Sequence, residues 1–264
     1  MKVQDVTTDT IFLESKEFSE GGSVVRLAMF VDGWNMYGSL KSAGIRDYGW
    51  CDFKSLARQQ TGHADASVLV KFFTAADEPN RDKPLIKQAI WWKALEFTGC
   101  KIVRGEFRPI FEEAKARASD SGKKWREKMT DVALAAHLVA DCNQIEPDPE
   151  RSGEYRWKPG YDAAVLLTQD LDFVPAANIV ASKPFSRRVY VLLPPSGFTV
   201  QENAARNWKK WANPMVSVHK LSEADFARAL LPKIVEGNLG QKVICHPEWM
   251  WREKYETTQA IAGH

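Results

Sequence analysis

Val24-Val25-Arg26-Leu27-Ala28-Met29-Phe30-Val31-Asp32-Gly33-Trp34-Asn35 is an almost unbroken apolar run that stops at a carboxylate, a glycine and an amide. A run that is apolar on both faces and contains β-branched residues reads as a strand buried inside a parallel sheet. Comparable runs recur at 67–73, 101–103, 163–167 and 188–193. Helical patterns lie between them. Asp52 opens one that puts Phe53, Leu56 and Ala57 on a face. Pro84 suits the first turn of a second, which runs to about Phe97 and stops at Gly99. Thr130 reads as the N-cap of a helix over 131–142, with Val132, Ala135, Ala136, Val139 and Cys142 in a stripe. Pro175 suits the start of another, and 203–211 and 222–230 are two more. Strands alternating with helices predict an α/β fold around a mainly parallel sheet.

Outward from this core, residues 1–23 read as an irregular leader, 24–236 as one domain and 237–264, with Trp249 and Trp251, as a C-terminal arm. The charged stretch 111–126 and the proline-containing stretch 143–160 read as loops or insertions. The 264 residues are enough to bury a sizeable core, and 44% apolar with 27% charged residues is ordinary for a globular chain. No apolar run is long enough to span a bilayer. The first residues lack the basic start and apolar centre of a secretory signal, and a cytoplasmic protein without membrane contact is expected. The cysteines Cys51, Cys100, Cys142 and Cys245 are far apart, with no C-x-x-C pair, which argues against zinc and against a disulfide framework. A net charge of +2 leaves any nucleic-acid contact to local patches.

In open α/β sheets ligands bind beyond the carboxyl ends of the strands, at the switch in strand order. The residues that follow each apolar run therefore carry the most information. The first run ends in Asp32, with Gly33 permitting a tight turn and Asn35 placed to point back at whatever Asp32 holds. The run 163–167 is followed by Thr168-Gln169-Asp170-Leu171-Asp172-Phe173. In an extended segment Asp170 and Asp172 point the same way. Asp131 opens a helix, where the dipole alone favours an acid. Asp32 alone reads equally as a helix cap. The argument rests on the set, because clustered carboxylates repel unless a cation lies among them, and an all-oxygen site suits Mg²⁺ or Mn²⁺. Asp141 lies about 15 Å farther along the helix than Asp131 and stays outside the set.

Three stretches together resemble the NYN domain, a member of the PIN-like metallonuclease group, nearest to its LabA-like branch. Phe30-Val31-Asp32-Gly33-Trp34-Asn35 looks like its opening signature. Lys128-Met129-Thr130-Asp131-Val132-Ala133-Leu134-Ala135 looks like its K-x-x-D-V-x-L-A helix start, and Thr168-Gln169-Asp170-Leu171-Asp172-Phe173 looks like its S-G-D-x-D-F motif. The likeness covers roughly 24–231, with the motifs in the right order. It implies a Rossmann-like sheet and a ribonuclease that hydrolyses phosphodiester bonds with Mg²⁺ or Mn²⁺ on Asp32, Asp131, Asp170 and Asp172. Asn35 then joins the catalytic set, and Thr168 and Lys128 contact phosphate or water. Two departures stand out: Gln169 occupies the glycine position, and His137 stands where relatives often carry an acid.

Substrate contacts are expected from the basic stretch before Asp131, where Lys123, Lys124, Arg126 and Lys128 lie among six basic residues against Asp120 and Glu127. Its plainer reading is a solvated charged loop. Trp34 is the stacking candidate by position, and 207–211 interleaves Trp and Lys as single-strand binders do, although such a helix more often splits into core and surface. RNA, single-stranded or structured, is the expected partner, with DNA a second substrate class and a homo-oligomer compatible with the chain. A catalytically weak NYN domain that binds RNA or a protein is the alternative, favoured by Gln169 and His137. A phosphatase of the haloacid-dehalogenase type ranks lower, since Trp34 stands where it needs a second Asp. A dinucleotide site ranks lower still, for want of G-x-G-x-x-G after any strand.

Overall fold

The structure is a computed structural model that describes residues 24–76, 86–109, 125–147 and 155–246, with the side chains of 106–109, 125–128, 144–147 and 155–157 excepted. The expected leader, Pro84, Lys123, Lys124 and most of the C-terminal arm fall outside the described residues, as do the side chains of Arg126 and Lys128.

Six parallel strands form the central sheet: β1 (Arg26–Asp32), β2 (Ser67–Thr74), β3 (Cys100–Arg104), β8 (Ala163–Leu167), β9 (Arg188–Leu193) and β10 (Val216–Lys220). Their order is β10-β9-β8-β1-β2-β3. The chain thus builds outward from β1 through β2 to β3, then returns to the other side of β1 and builds outward again. This is the doubly wound, Rossmann-like arrangement, and its switch point lies between β1 and β8. Three antiparallel hairpins decorate it: β4 (Glu106–Pro109) with β5 (Trp125–Lys128), β6 (Asn143–Pro147) with β7 (Tyr155–Pro159), and β11 (Ile234–Glu236) with β12 (Lys242–Ile244). The helices are α1 (Gly33–Ser42), α2 (Phe53–Thr61), α3 (Ile86–Phe97), α4 (Thr130–Ala140), α5 (Val174–Ala181), α6 (Phe198–Trp211) and α7 (Glu223–Arg228).

Both faces of the sheet are covered, and strand alternation decides which residue joins which layer. Leu27, Met29 and Val31 of β1 meet Met36, Leu40, Phe53 and Leu56 of α1 and α2 on one side. Ala28 and Phe30 meet Leu134 and Leu138 of α4 on the other, together with the inward residues of α5 and α6. Continuing the alternation, Asp32 faces the α4 side. It is there only 6% exposed. At the opposite end of the strand, Arg26 is tied to Asp162 by two side-chain hydrogen bonds of 2.7 and 3.2 Å, which fixes the start of β1 against the start of β8.

Several sequence expectations need correction. Helix α4 begins at Thr130, not after it: Met129 is the cap, in the left-handed region at φ 81°, and no side chain caps the helix. The stretch 143–160, expected as a loop, contains the β6–β7 pair, and the end of the loop expected at 111–126 enters β5. Strand β10 had no sequence signal, because its residues are only half-buried at the sheet edge. Val235 and Cys245 are buried around the β11–β12 hairpin, so packing against the body continues past Glu236. Among the described residues no helix is long and apolar enough to cross a membrane.

Candidate functional site

Asp32 ends β1 at the carboxyl edge of the sheet, beside β8 and therefore at the switch point. Its two oxygens have separate tasks. Oδ1 accepts the backbone N–H of Asn35 at 3.1 Å and caps α1, so the plain capping role is real. Oδ2 accepts the hydroxyl of Thr168 at 2.9 Å from the segment after β8. Thr168 is fully buried, and its oxygen in turn accepts the N–H of Asp170 at 3.0 Å. One carboxylate thereby registers two loops against each other. Each oxygen of an ionised carboxylate still keeps a lone pair for a further partner.

Gly33 serves a different purpose from the turn expected of it. A Cβ here would lie 2.7 Å from the ring of Phe72 and 2.7 Å from the carbonyl of Phe73. The glycine is needed because α1 starts in contact with β2, which brings Asp32 close down on the sheet.

Asp131 lies in the first turn of α4 and is exposed, whereas Asp170 is half-buried and caps a short 3-10 turn, Leu171–Phe173. Both act on Asp32. Burial pushes the Asp32 carboxyl up to about 7, the bonds from Asn35 and Thr168 oppose that rise, and the charges of Asp131 and Asp170 add to it. The fold therefore gathers three of the four sequence-selected acids into one electrostatic group. Asp172 is not among them. The segment after Asp170 is a turn rather than extended chain, so Asp172 is exposed and its N–H donates to Asp170 Oδ1 at 3.0 Å.

The polar candidates also take roles other than those expected. Thr168 is sealed from solvent and positions Asp32 and Asp170 instead of touching a substrate. The Asn35 side chain does not turn back on Asp32; its Oδ1 accepts the N–H of Gln169 at 2.9 Å, a second clasp between the loops. Gln169, the bulky replacement at the glycine position, turns its amide away from the acids. Its Nε2 donates to the Pro194 carbonyl at 2.6 Å and to Ser196 Oγ at 2.8 Å, which anchors the loop after β9. His137 lies far from Asp32, where its Nδ1 is 3.0 Å from Lys71 Nζ and 3.8 Å from Asp141. Lys71 is paired with Asp141 beneath α4.

Among the described residues no group of three or more His, Cys, Asp or Glu side chains is arranged to hold a metal ion. The donors nevertheless fit one hard cation. Mg²⁺ commonly takes one or two carboxylates and keeps several waters, and a buried carboxyl driven up by neighbouring acids is relieved by positive charge. Trp34 and Tyr37, one helical turn apart on α1, face the opposite flank of the site and line a recess with Gly33, Thr74, Lys87, Gln88 and Trp91. Sequence reasoning singled out only Trp34 here. The i, i+3 spacing of Trp34 with Tyr37, and of Gln88 with Trp91, was the signal available. In the 207–211 stretch Trp208 is fully buried core, while Trp211 is 60% exposed under Lys210.

Neither family models nor curated proteins match the chain. Among solved structures, it is similar to a crystal structure of a protein of unknown function from Vibrio parahaemolyticus. That match has 17% identity and a TM-score of 0.44, and it covers 81% of this chain and all of the other.

Proposed function

We propose that the protein is a divalent-metal-dependent nuclease of the NYN type, acting on RNA, with Asp32, Asp131 and Asp170 as the acidic centre. The observation that carries the reading is Asp32. A carboxylate buried at the switch point of a doubly wound sheet, raised to about 7 and facing two further acids, is costly unless a cation balances it. Asp32 and Asp170 would hold Mg²⁺ or Mn²⁺, with Asp131 reaching it directly or through water. When bound, such an ion supplies water activation and offsets the charge that builds on a phosphate under attack.

The chain's own residues supply order. Thr168 holds Asp32 and the backbone of Asp170 in register, and Asn35 keeps the segment after β8 closed on α1. Gln169 ties that segment to the loop after β9, so its bulk reinforces the site. Lys128 immediately precedes the capped start of α4 and would meet the phosphate. Asp172, exposed and held in the 3-10 turn, is the observation that favours the second reading, a catalytically weak domain that binds RNA or a protein.

Cleavage of labelled single-stranded and structured RNAs, in Mn²⁺ and in EDTA, separates the two. The nuclease cuts only with metal, and Asp170→Asn lowers the rate by at least a hundredfold with the fold intact. Folded wild-type protein that binds these RNAs but cuts none of them under any metal carries the second reading instead.

A further inference from the structure

We infer that the aromatic recess between α1 and α3 is a base-binding slot for the single-stranded nucleic acid held at the acidic centre. The inference rests on the nuclease reading for its ligand but on separate residues for its geometry.

The recess encloses about 390 Å³, part of it open to solvent, within the roughly 300–1,000 Å³ typical of small-ligand sites. Its walls are Trp34 and Tyr37 of α1 and Trp91 of α3, with Thr74, Gln88 and Lys87 supplying polar groups. The aromatic rings are set. Trp34 and Tyr37 meet edge to face at 6.5 Å, and Trp91 meets Phe72 in the same way at 5.0 Å. The Gln88 amide is fixed by its bond to the Ala75 carbonyl at 3.0 Å.

Position selects the occupant. Gly33 lines the recess and is the residue next to Asp32, so their Cα atoms are about 3.8 Å apart. Helix α1 divides its first turn between the two sites: Asn35 faces β8 and the acids, while Trp34 and Tyr37 face β2 and α3. A ligand phosphate at the acidic centre therefore leaves an adjoining flat group within reach of the slot. In a polynucleotide that group is a base. Aromatic walls accept any base face, because stacking depends little on base identity. The floor is also built to remain: a side chain at position 33 would strike Phe72 and Phe73.

The test uses the full chain carrying Asp170→Asn, with Mn²⁺, and fluorescence anisotropy. A labelled single-stranded RNA decamer is compared with a decamer of abasic ribose phosphate. The base-bearing oligomer binds about tenfold tighter. Trp34→Ala and Tyr37→Ala each remove most of that difference without changing affinity for the abasic oligomer, and Trp34→Phe retains it. Circular dichroism checks that each variant is folded, and Tyr37→Ala carries the test if Trp34→Ala is not. Equal affinity for the two oligomers, a difference that survives in both alanine variants, or no binding of either overturns the slot. Wild-type cleavage with no base-dependent binding sinks the slot but leaves the nuclease. Base-dependent binding by a protein that cuts nothing does the reverse.

Discussion

At the scale of one residue, Asp32 sets a trade between stability and site chemistry. Burial raises its carboxyl to about 7, with Asp131 and Asp170 adding to the rise, against an ordinary value of 3.8. Between these values the folded protein holds a proton that the unfolded chain has released. Stability therefore falls as pH climbs from about 4 to about 7, and stays lower above that. The shift corresponds to at most about 4 kcal/mol. Asp32→Asn removes the charge, keeps an acceptor for the Asn35 N–H and abolishes this slope. Urea midpoints recorded from pH 4 to pH 8 in EDTA read the effect directly. The variant is expected to exceed wild type most at pH 8, and a variant weaker than wild type at pH 8 would mean that the buried charge is already compensated.

At the scale of elements, the junction of β1 with α1 concentrates the constraints. Gly33→Ala places a methyl 2.7 Å from both the Phe72 ring and the Phe73 carbonyl. The ring can shift, but the carbonyl belongs to β2, which is paired to β1 along seven residues. The expected cost is about 1–3 kcal/mol, as for overpacking elsewhere, seen as a lower urea midpoint. Because the helix start must lift, base-slot and metal affinity fall with it. An unchanged midpoint would show that β2 yields. The sequence announced this junction clearly, since a central strand is apolar on both faces and its end is marked by the first polar groups. The strands at 163–167 and 188–193 were legible for the same reason. Edge strand β10 and the β6–β7 hairpin were not, because half-exposed strands carry mixed side chains that resemble loops. Thr130 misled because a threonine before an acid mimics a cap, whereas Met129 takes the cap position without a side-chain bond.

At the scale of the whole molecule, α4 joins the two halves of the argument. Its first turn brings Asp131 toward Asp32, an arrangement that charge repulsion opposes. Its far end is secured by chemistry of the opposite sign: Lys71 of β2, only 7% exposed, pairs with Asp141 and lies 3.0 Å from His137 Nδ1. The sequence showed Asp131 and Asp170 as candidates but gave no sign of this anchor, because Lys71 reads as a break in an apolar strand and its partners are seventy residues away. His137, which looked like a missing catalytic acid, belongs to the anchor. Lys71→Met leaves Asp141 half-buried without its cation and costs about 2–4 kcal/mol, toward the lower end because Asp141 keeps some water. Adding Asp141→Asn to Lys71→Met restores part of that loss. If the anchor holds the repelling first turn in place, Lys71→Met also speeds amide exchange throughout α4. It then weakens Mn²⁺ binding severalfold, measured by calorimetry, although Lys71 lies about 15 Å along the helix from Asp131. Loss of stability with unchanged Mn²⁺ affinity would instead make the Lys71 pair a local brace, and the acidic centre would owe its assembly to the Thr168 and Asn35 clasps alone.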